Sequence, residues 1–372
     1  MKIGFDAKRI FHNNTGLGNY GRDILRILHE YTPINEFILY NTKKPKAYKI
    51  PKYQKINIQY PEKWLWKLFP SLWRLTGVKH QIKKDKLNIY HGLSGEIPKG
   101  ISKKNTITIV TIHDLIFLSH PHYYSFFDRL IYKSKFKYAA KNAHKIIAIS
   151  EQTKRDIIKY FDIKTDDIKV IYQGCNTAFK KEYSKEAQNK VKDKYQLPEK
   201  YILNVGTLQE RKNALSIVKA IKDTNIQLVL IGGEKKYAKS IHAYIKNNQL
   251  ENQIYFLKNV EVKELAIIYQ LASIFCYPSI CEGFGIPIIE AMYSKTPVIT
   301  STGNCFSEAG GPNSIYVSAL DSLALKKEIL FLYKNPDACN EIAKKSYEYV
   351  QRFNDENVAK NIFELYNSVS NE

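Results

Sequence analysis

The stretch 281–292, CEGFGIPIIEAM, sets two carboxylates, Glu282 and Glu290, on either side of a glycine-containing turn. A glycine ahead of a helix lets backbone approach a ligand closely, and the open amides of a helix N-terminus favour anions. Carboxylates repel anions, so a ligand that suits this stretch carries phosphate in one place and hydroxyls in another. The Phe284, Gly285 and Ile286 amides are expected to face outward and cradle a diphosphate, while Pro287 fits the first turn, where no amide hydrogen is needed. Glu290, inside the helix, can accept two hydrogen bonds from a vicinal diol such as a ribose. Glu282, on the turn, is expected nearer to whatever hangs beyond the phosphates. A nucleoside diphosphate bearing a sugar meets every one of these demands. Taken alone, the stretch also fits a tight strand-to-helix connection with two solvated glutamates.

Three more stretches bear on that choice. In 206–213, GTLQERKN, the adjacent Arg211 and Lys212 follow Gly206 at a strand exit, where they can neutralise phosphate oxygens and a departing diphosphate. A charged, exposed helix start would look the same. In 15–20, TGLGNY, the glycine pair Gly16 and Gly18 follows the first strand and would let backbone come close to a ligand, although such a pair is a weak signal by itself. In 107–115, ITIVTIHDL, His113 and Asp114 end an apolar strand. A histidine there can be a satisfied core residue, but the carboxyl end of a strand is the side on which open α/β sheets bind ligands.

The elements that must position these residues read as strands and helices in alternation. Strands are expected at 2–6, 36–41, 56–60, 88–91, 106–112, 145–150 and 168–172, and in a second series at 201–206, 227–232, 254–257, 274–277 and 297–301. A long helical segment is expected over 123–143, Ser150 is placed to cap another helix, and the chain after Asp337 reads as helical to its end. Alternation of this kind implies parallel, doubly wound sheets, and two series separated by the polar stretch 173–200 imply two domains. All four candidate stretches then fall just after strands.

Composition narrows the class. The 372 residues are 44% hydrophobic and 25% charged, which is ordinary for a globular chain of about two domains. No apolar run is long enough to span a membrane as a helix, and Asp6, Lys8 and Arg9 stand where a secretory signal needs its apolar core. Five cysteines without a C-x-x-C pair are expected to be reduced, mostly buried thiols of a cytosolic protein. The net charge of +21 is unevenly placed: residues 1–180 hold 33 Lys and Arg against 14 Asp and Glu. Residues 43–104 alone hold 16 against 3. An anionic partner is expected for that half, whether phosphates, nucleic acid or an anionic membrane. Within it, 62–75, EKWLWKLFPSLWRL, sets Trp64, Trp66, Phe69 and Trp73 beside Lys63, Lys67 and Arg74, a mixture suited to a headgroup boundary. At helical spacing Leu65, Leu68, Phe69, Leu72 and Leu75 equally describe a core-facing stripe, which Pro70 interrupts.

Together the motifs resemble glycosyltransferase family 4, retaining enzymes of the GT-B fold, over essentially the whole chain. The most specific element is the E-x(7)-E signature from Glu282 to Glu290, set in EGFGIPIIEA and followed by TPVITS, with GTLQERKN, TGLGNY, TIHDLIFL (111–118) and KIIAISEQTKRDI (145–157) in support. The resemblance implies two Rossmann-like domains facing each other across a cleft: 1–178 binding the acceptor, 179–354 binding the nucleotide-sugar donor, and a C-terminal helix, 355–372, packing back on the first. It assigns Arg211 and Lys212 to the diphosphate, Glu290 to the ribose, Glu282 to the donor sugar and phosphate region, Gly16 to the diphosphate and His113 to a donor-sugar hydroxyl. Two positions depart from the pattern of many relatives: Thr15 precedes Gly16 where they have a second glycine, and Thr207 follows Gly206 where they have arginine.

The implied activity is transfer of a hexose, with mannose favoured by analogy, from a nucleotide-diphosphate sugar to a glycan or polyprenyl-linked acceptor in cell-surface polysaccharide or lipopolysaccharide assembly. No cofactor beyond the nucleotide sugar and no metal is expected, because no Asp-x-Asp pair stands in a matching place. The expected location is cytoplasmic, with the basic first domain on the inner face of the plasma membrane and no specific nucleic acid as partner. A basic nucleic-acid-binding protein and a GT-B epimerase remain the competing readings. No reader motif supports the first, and no local acid–base signature supports the second.

Overall fold

The computed structural model describes residues 1–13, 15–32, 35–44, 55–101 and 106–370. These form two compact units, Met1–Gly174 together with Phe353–Glu372, and Cys175–Arg352. The division falls at 174/175 and 352/353, a few residues before the boundaries expected at 178/179 and 354/355. Part of the basic stretch 43–104, at 45–54 and 102–104, lies outside the described residues.

The first unit is a parallel sheet of β1 (Lys2–Asp6), β2 (Glu36–Tyr40), β3 (Ile56–Gln59), β4 (Ile89–Gly92), β5 (Ile107–Ile112), β6 (Lys145–Ala148) and β7 (Ile168–Val170). Its order is β3-β2-β1-β4-β5-β6-β7. The central strands are buried almost throughout, as a sheet covered on both faces requires. Helix Gly16–Tyr31 covers one face because Tyr20, Ile24, Ile27 and Leu28 recur at helical spacing and are all buried. The C-terminal helix, Asp355–Ser370, lies against it and adds Val358, Ile362, Tyr366 and Val369 to the same core as Ile3 and Phe5 of β1. Arg26 ties the two helices by reaching both Asp23 at 2.7 Å and Asp355 at 3.0 Å.

The second unit repeats the plan with β8 (Tyr201–Val205), β9 (Gln227–Ile231), β10 (Ile254–Leu257), β11 (Ile274–Tyr277), β12 (Val298–Ser301) and β13 (Ile315–Val317), ordered β10-β9-β8-β11-β12-β13. All pairs are parallel. Topology reverses between β8 and β11, so the loops leaving those two strands flank the switch point where such sheets bind ligands.

Sequence periodicity located most strands to within two residues. It missed β13, whose three residues are too short to show a period. Ser150 caps its helix as expected, its Oγ accepting from the Thr153 amide at 3.0 Å. The helical chain expected after Asp337 consists of two helices, Pro336–Val350 and Asp355–Ser370, separated where the chain passes from the second unit to the first. The segment 62–75 departs furthest from a core stripe. Helix Trp64–Leu68 ends at Phe69 (ψ 62°), and Pro70 begins the next turn, so the apolar spacing does not continue. Trp73 goes inward, donating from Nε1 to Gln81 at 3.0 Å, whereas Leu65, Leu68, Phe69 and Leu72 stay exposed. Arg74 is no surface cation: it is held between Asp6 and Glu96, each at 2.7 Å.

Candidate active site

In the second unit the loops after β8 and β11 are sewn together by backbone and side-chain bonds. The Ile280 amide donates to the Arg211 carbonyl at 2.8 Å. Asn213, in the left-handed region at φ 55°, donates from Nδ2 to the carbonyls of Pro278 at 3.2 Å and Ala319 at 2.6 Å. A 3₁₀ turn, Glu210–Lys212, therefore presents its two cations directly to the turn that carries Glu282.

Arg211 Nη1 lies 2.9 Å from Glu282 Oε2, and Lys212 Nζ contacts Oε1. All three side chains are at most 20% exposed. Tyr277, the last residue of β11, donates its hydroxyl to Glu282 Oε1 at 3.0 Å and also meets Lys212 Nζ. Burial alone would push the Glu282 carboxyl up, but the Lys212 and Arg211 charges prevail and hold it at about 2. Burial lowers the Lys212 ammonium, assisted by Arg211 and opposed by Glu282. One ionised carboxylate thus faces two cations, and the cluster keeps a surplus of positive charge for an anion. Gly206, at φ 151°, lies over the Lys212 stem, its missing Cβ about to fall 3.8 Å from Cδ.

The helix Ile286–Tyr293 starts where Gly285 turns at φ 113°, a conformation that side-chain-bearing residues avoid. Neither the Gly285 nor the Ile286 amide has a hydrogen-bond partner among the described residues. Phe284 is buried, and its carbonyl accepts the Cys305 thiol at 3.1 Å. One turn into the helix, Glu290 Oε2 accepts from Tyr269 Oη at 3.1 Å. Burial raises the Glu290 carboxyl to about 7, with the Tyr269 bond opposing, so it titrates at neutral pH.

Sequence reasoning missed Tyr269 and Tyr277. Their rings, with Phe275 between them at centroid distances of 5.1 and 5.8 Å, form an aromatic floor that supports both acids. Phe275 and Tyr277 at alternate positions of one strand were a legible sign of a shared face. Tyr269 lies on a separate helix, and nothing in the sequence ties it to Glu290.

The first unit holds His113 and Gly16. His113 Nε2 donates to the Leu93 carbonyl at 2.9 Å, which leaves Nδ1 as an acceptor. Burial lowers the imidazole to about 4, so it is neutral at pH 7 and suited to receive a hydroxyl proton in a hydrogen bond. The Tyr20 ring meets it edge-on at 4.6 Å. Tyr20 Oη in turn reaches Thr111 at 3.2 Å, Thr111 reaches His91 Nε2 at 2.8 Å, and His91 Nδ1 meets Tyr366 Oη at 2.6 Å. Asp114 accepts from the Ile116 amide at 3.1 Å. Gly16 opens helix Gly16–Tyr31, is exposed, and would have open space around an added Cβ.

Two doubly wound parallel sheets with a basic, glycine-flanked site at the switch point of the second define a glycosyltransferase of the GT-B class. Comparison with known proteins gives the family. Residues 37–179 match the model of Glycosyltransferase Family 4, and residues 184–349 match that of Glycosyl transferases group 1. The O-antigen chain mannosyltransferase RfbU of Salmonella typhimurium is 32% identical over 253 residues, 67% of this chain and 66% of that protein. The O-antigen chain mannosyltransferase B of Escherichia coli is 26% identical over 367 residues, 92% of this chain and 93% of that one. Among solved structures, Anabaena HepE in complex with UDP-glucose superposes with a TM-score of 0.78 at 19% identity, covering 99% of this chain and all of that one. The chain belongs to glycosyltransferase family 4.

Proposed function

We propose that this chain moves mannose, with retention at the anomeric carbon and without a metal, from a nucleoside-diphosphate sugar to a glycan or polyprenyl-linked acceptor in cell-surface polysaccharide assembly. The reaction would take place on the cytoplasmic face of the membrane. The observation that carries the reading is the buried cluster of Glu282 with Arg211 and Lys212 beside the open N-terminus of helix Ile286–Tyr293. Mannose and the polysaccharide acceptor rest on the names of the Salmonella and Escherichia relatives. A nucleotide sugar as donor accords with the ligand of the Anabaena structure.

On this reading the donor diphosphate lies against the Gly285 and Ile286 amides and draws Arg211 and Lys212 partly away from Glu282. Glu290, once ionised, accepts the two ribose hydroxyls, and neutral His113 accepts from a hydroxyl of the sugar. The acceptor oxygen then attacks the anomeric carbon on the face from which the sugar–phosphate bond breaks. The bonding pair leaves with the diphosphate, and the acceptor proton passes to a phosphate oxygen. Arg211 and Lys212 stabilise the charge that builds on the leaving group, the role a divalent cation fills elsewhere.

A panel of nucleotide sugars scored for nucleotide release, with and without polyprenyl-linked acceptors, tests the proposal. Release is expected from GDP-mannose, to survive EDTA, and to yield an α-linked product from the α-linked donor. Release from another donor alone would overturn mannose, and an inverted product would overturn retention. Loss in EDTA restored by magnesium would overturn metal independence. Thermal protection by DNA with no response to any nucleotide sugar would favour the nucleic-acid-binding alternative.

A further inference from the structure

A third loop of the second unit, the one that follows β12, reaches the turn that carries Glu282. It leaves β12 with the Thr302 amide donating to the Val317 carbonyl of β13 at 2.9 Å. It ends where the Cys305 carbonyl accepts from the Glu308 and Ala309 amides at 3.1 and 3.2 Å. Held at both ends, the loop presents two side chains to its neighbour after β11. Asn304, in the left-handed region at φ 47° that asparagine tolerates, donates from Nδ2 to the Ile280 carbonyl at 3.0 Å. Cys305 Sγ faces two more carbonyls, that of Phe284 at 3.1 Å and that of Glu282 at 3.3 Å. The carbonyls of Ile280, Glu282 and Phe284 thus all meet this loop, along the turn on which the Glu282 carboxylate stands.

Cys305 is fully buried, and burial, with the Glu282 and Glu308 charges adding, pushes its thiol well above the usual range. It is therefore a protonated donor and no nucleophile. What such a donor can do is aim a peptide. In a planar trans peptide the carbonyl and the following N–H point in opposite directions, and the Phe284–Gly285 bond is trans. A Phe284 carbonyl held on Cys305 sends the Gly285 amide away from the buried thiol, and that amide has no partner among the described residues. Gly285 stands at φ 113°, and glycine has the widest backbone freedom of any residue, so its own chemistry does not fix the direction of the peptide. We infer that Cys305 is a positioning residue of the donor site: by holding the Phe284 carbonyl, its thiol aims the Gly285 amide at the donor diphosphate. The inference deepens the proposed function and rests on its placing of the diphosphate at that amide.

Cys305→Ala and Cys305→Val both remove the proton donor, the second while keeping the site filled, and Cys305→Ser restores a donor in a smaller side chain. Affinities for GDP and UDP, each measured beside its nucleoside, read the effect. Whichever diphosphate the wild type binds is expected to bind at least about tenfold more weakly to the Ala and Val variants, since misaimed groups lose that much or more. Nucleoside affinity is expected to stay unchanged, and Cys305→Ser to regain most of the loss. General loosening of the unit would instead weaken nucleoside and diphosphate alike, or leave Cys305→Ser as weak as Cys305→Ala, and either result would overturn the inference. Ligand-free crystals of the variants separate it from the glycosyl-transfer reading. The Phe284–Gly285 peptide is expected to keep its direction in Cys305→Ser and to turn in Cys305→Ala. An unturned peptide in Cys305→Ala would overturn the inference whatever donor the chain uses. A wild type that binds neither diphosphate would overturn the glycosyl-transfer reading and this inference with it.

Discussion

Glu282 is the counter-charge of the site before any donor arrives. Its carboxylate, held at about 2, keeps two cations close together in a buried place, and under the proposed function a diphosphate competes with it for them. Lys212→Ala and Glu282→Ala are expected to lower kcat by roughly a hundredfold, as losses of preorganised charge stabilisation do. Near-normal turnover in both folded variants would refute the assignment. Glu282→Gln leaves Arg211 and Lys212 facing each other uncompensated, at a cost of about 3–5 kcal/mol. Nucleoside diphosphate should therefore raise its melting temperature more than that of the wild type, and an equal increment would count against competition. Glu290 behaves in the opposite sense. Its folded-state pKa of about 7 lies above the ordinary 4.5, and under the proposed function ribose hydroxyls bind the ionised form. Donor KM should rise as pH falls through 7, and Glu290→Gln should flatten that dependence while weakening binding throughout. For stability the raised value means a contribution present below pH 4.5 and lost as pH rises through 7, at roughly 1.4 kcal/mol per unit. Thermal scans should find Glu290→Gln more stable than wild type at alkaline pH and converging with it under acid conditions.

At the scale of elements, the two glycines that open helix Gly16–Tyr31 have different causes. A Cβ on Gly18 would fall 1.8 Å from the Asn13 carbonyl oxygen, so packing alone demands glycine there. A Cβ on Gly16 meets nothing, and its backbone is ordinary helix, so the fold makes no such demand. Gly16→Ala should leave stability unchanged or raise it by about 0.5–1 kcal/mol while donor KM increases. Gly18→Ala should lower the melting temperature before any kinetic effect is measured. Unaltered KM in Gly16→Ala would remove that residue from the site. The loops after β8 and β11 show the complementary case, an element pair whose register is set by Asn213 and the Ile280 amide before any ligand is present. This joint places Arg211 against a carboxylate 71 positions along the chain, a contact no spacing rule announces.

Across the whole molecule, the C-terminal helix is part of the first unit's core and no appendage. Ile362 and Tyr366 are fully buried against helix Gly16–Tyr31 and β1. Ile362→Ala should cost about 2–5 kcal/mol in urea denaturation. All three tryptophans, Trp64, Trp66 and Trp73, lie in the first unit, so their fluorescence reports it separately from the second. An unchanged fluorescence midpoint in Ile362→Ala would show that the helix is dispensable. Much of this architecture was legible beforehand. Apolar runs of strand length alternating with helical periods determine two parallel sheets, because a strand covered on both faces must be apolar at nearly every position. Glycines and charges just after those strands likewise mark the candidate site, since strand ends are where such sheets bind ligands. Spacing along a chain cannot say which distant groups meet. Only the tertiary structure set Glu282 between two cations and Tyr269 against Glu290, turned Arg74 inward, and left Leu68 outside a core that its period alone would have let it join. Ionisation and exposure depend on what surrounds a side chain in space, and these residues are surrounded by parts of the chain remote in sequence.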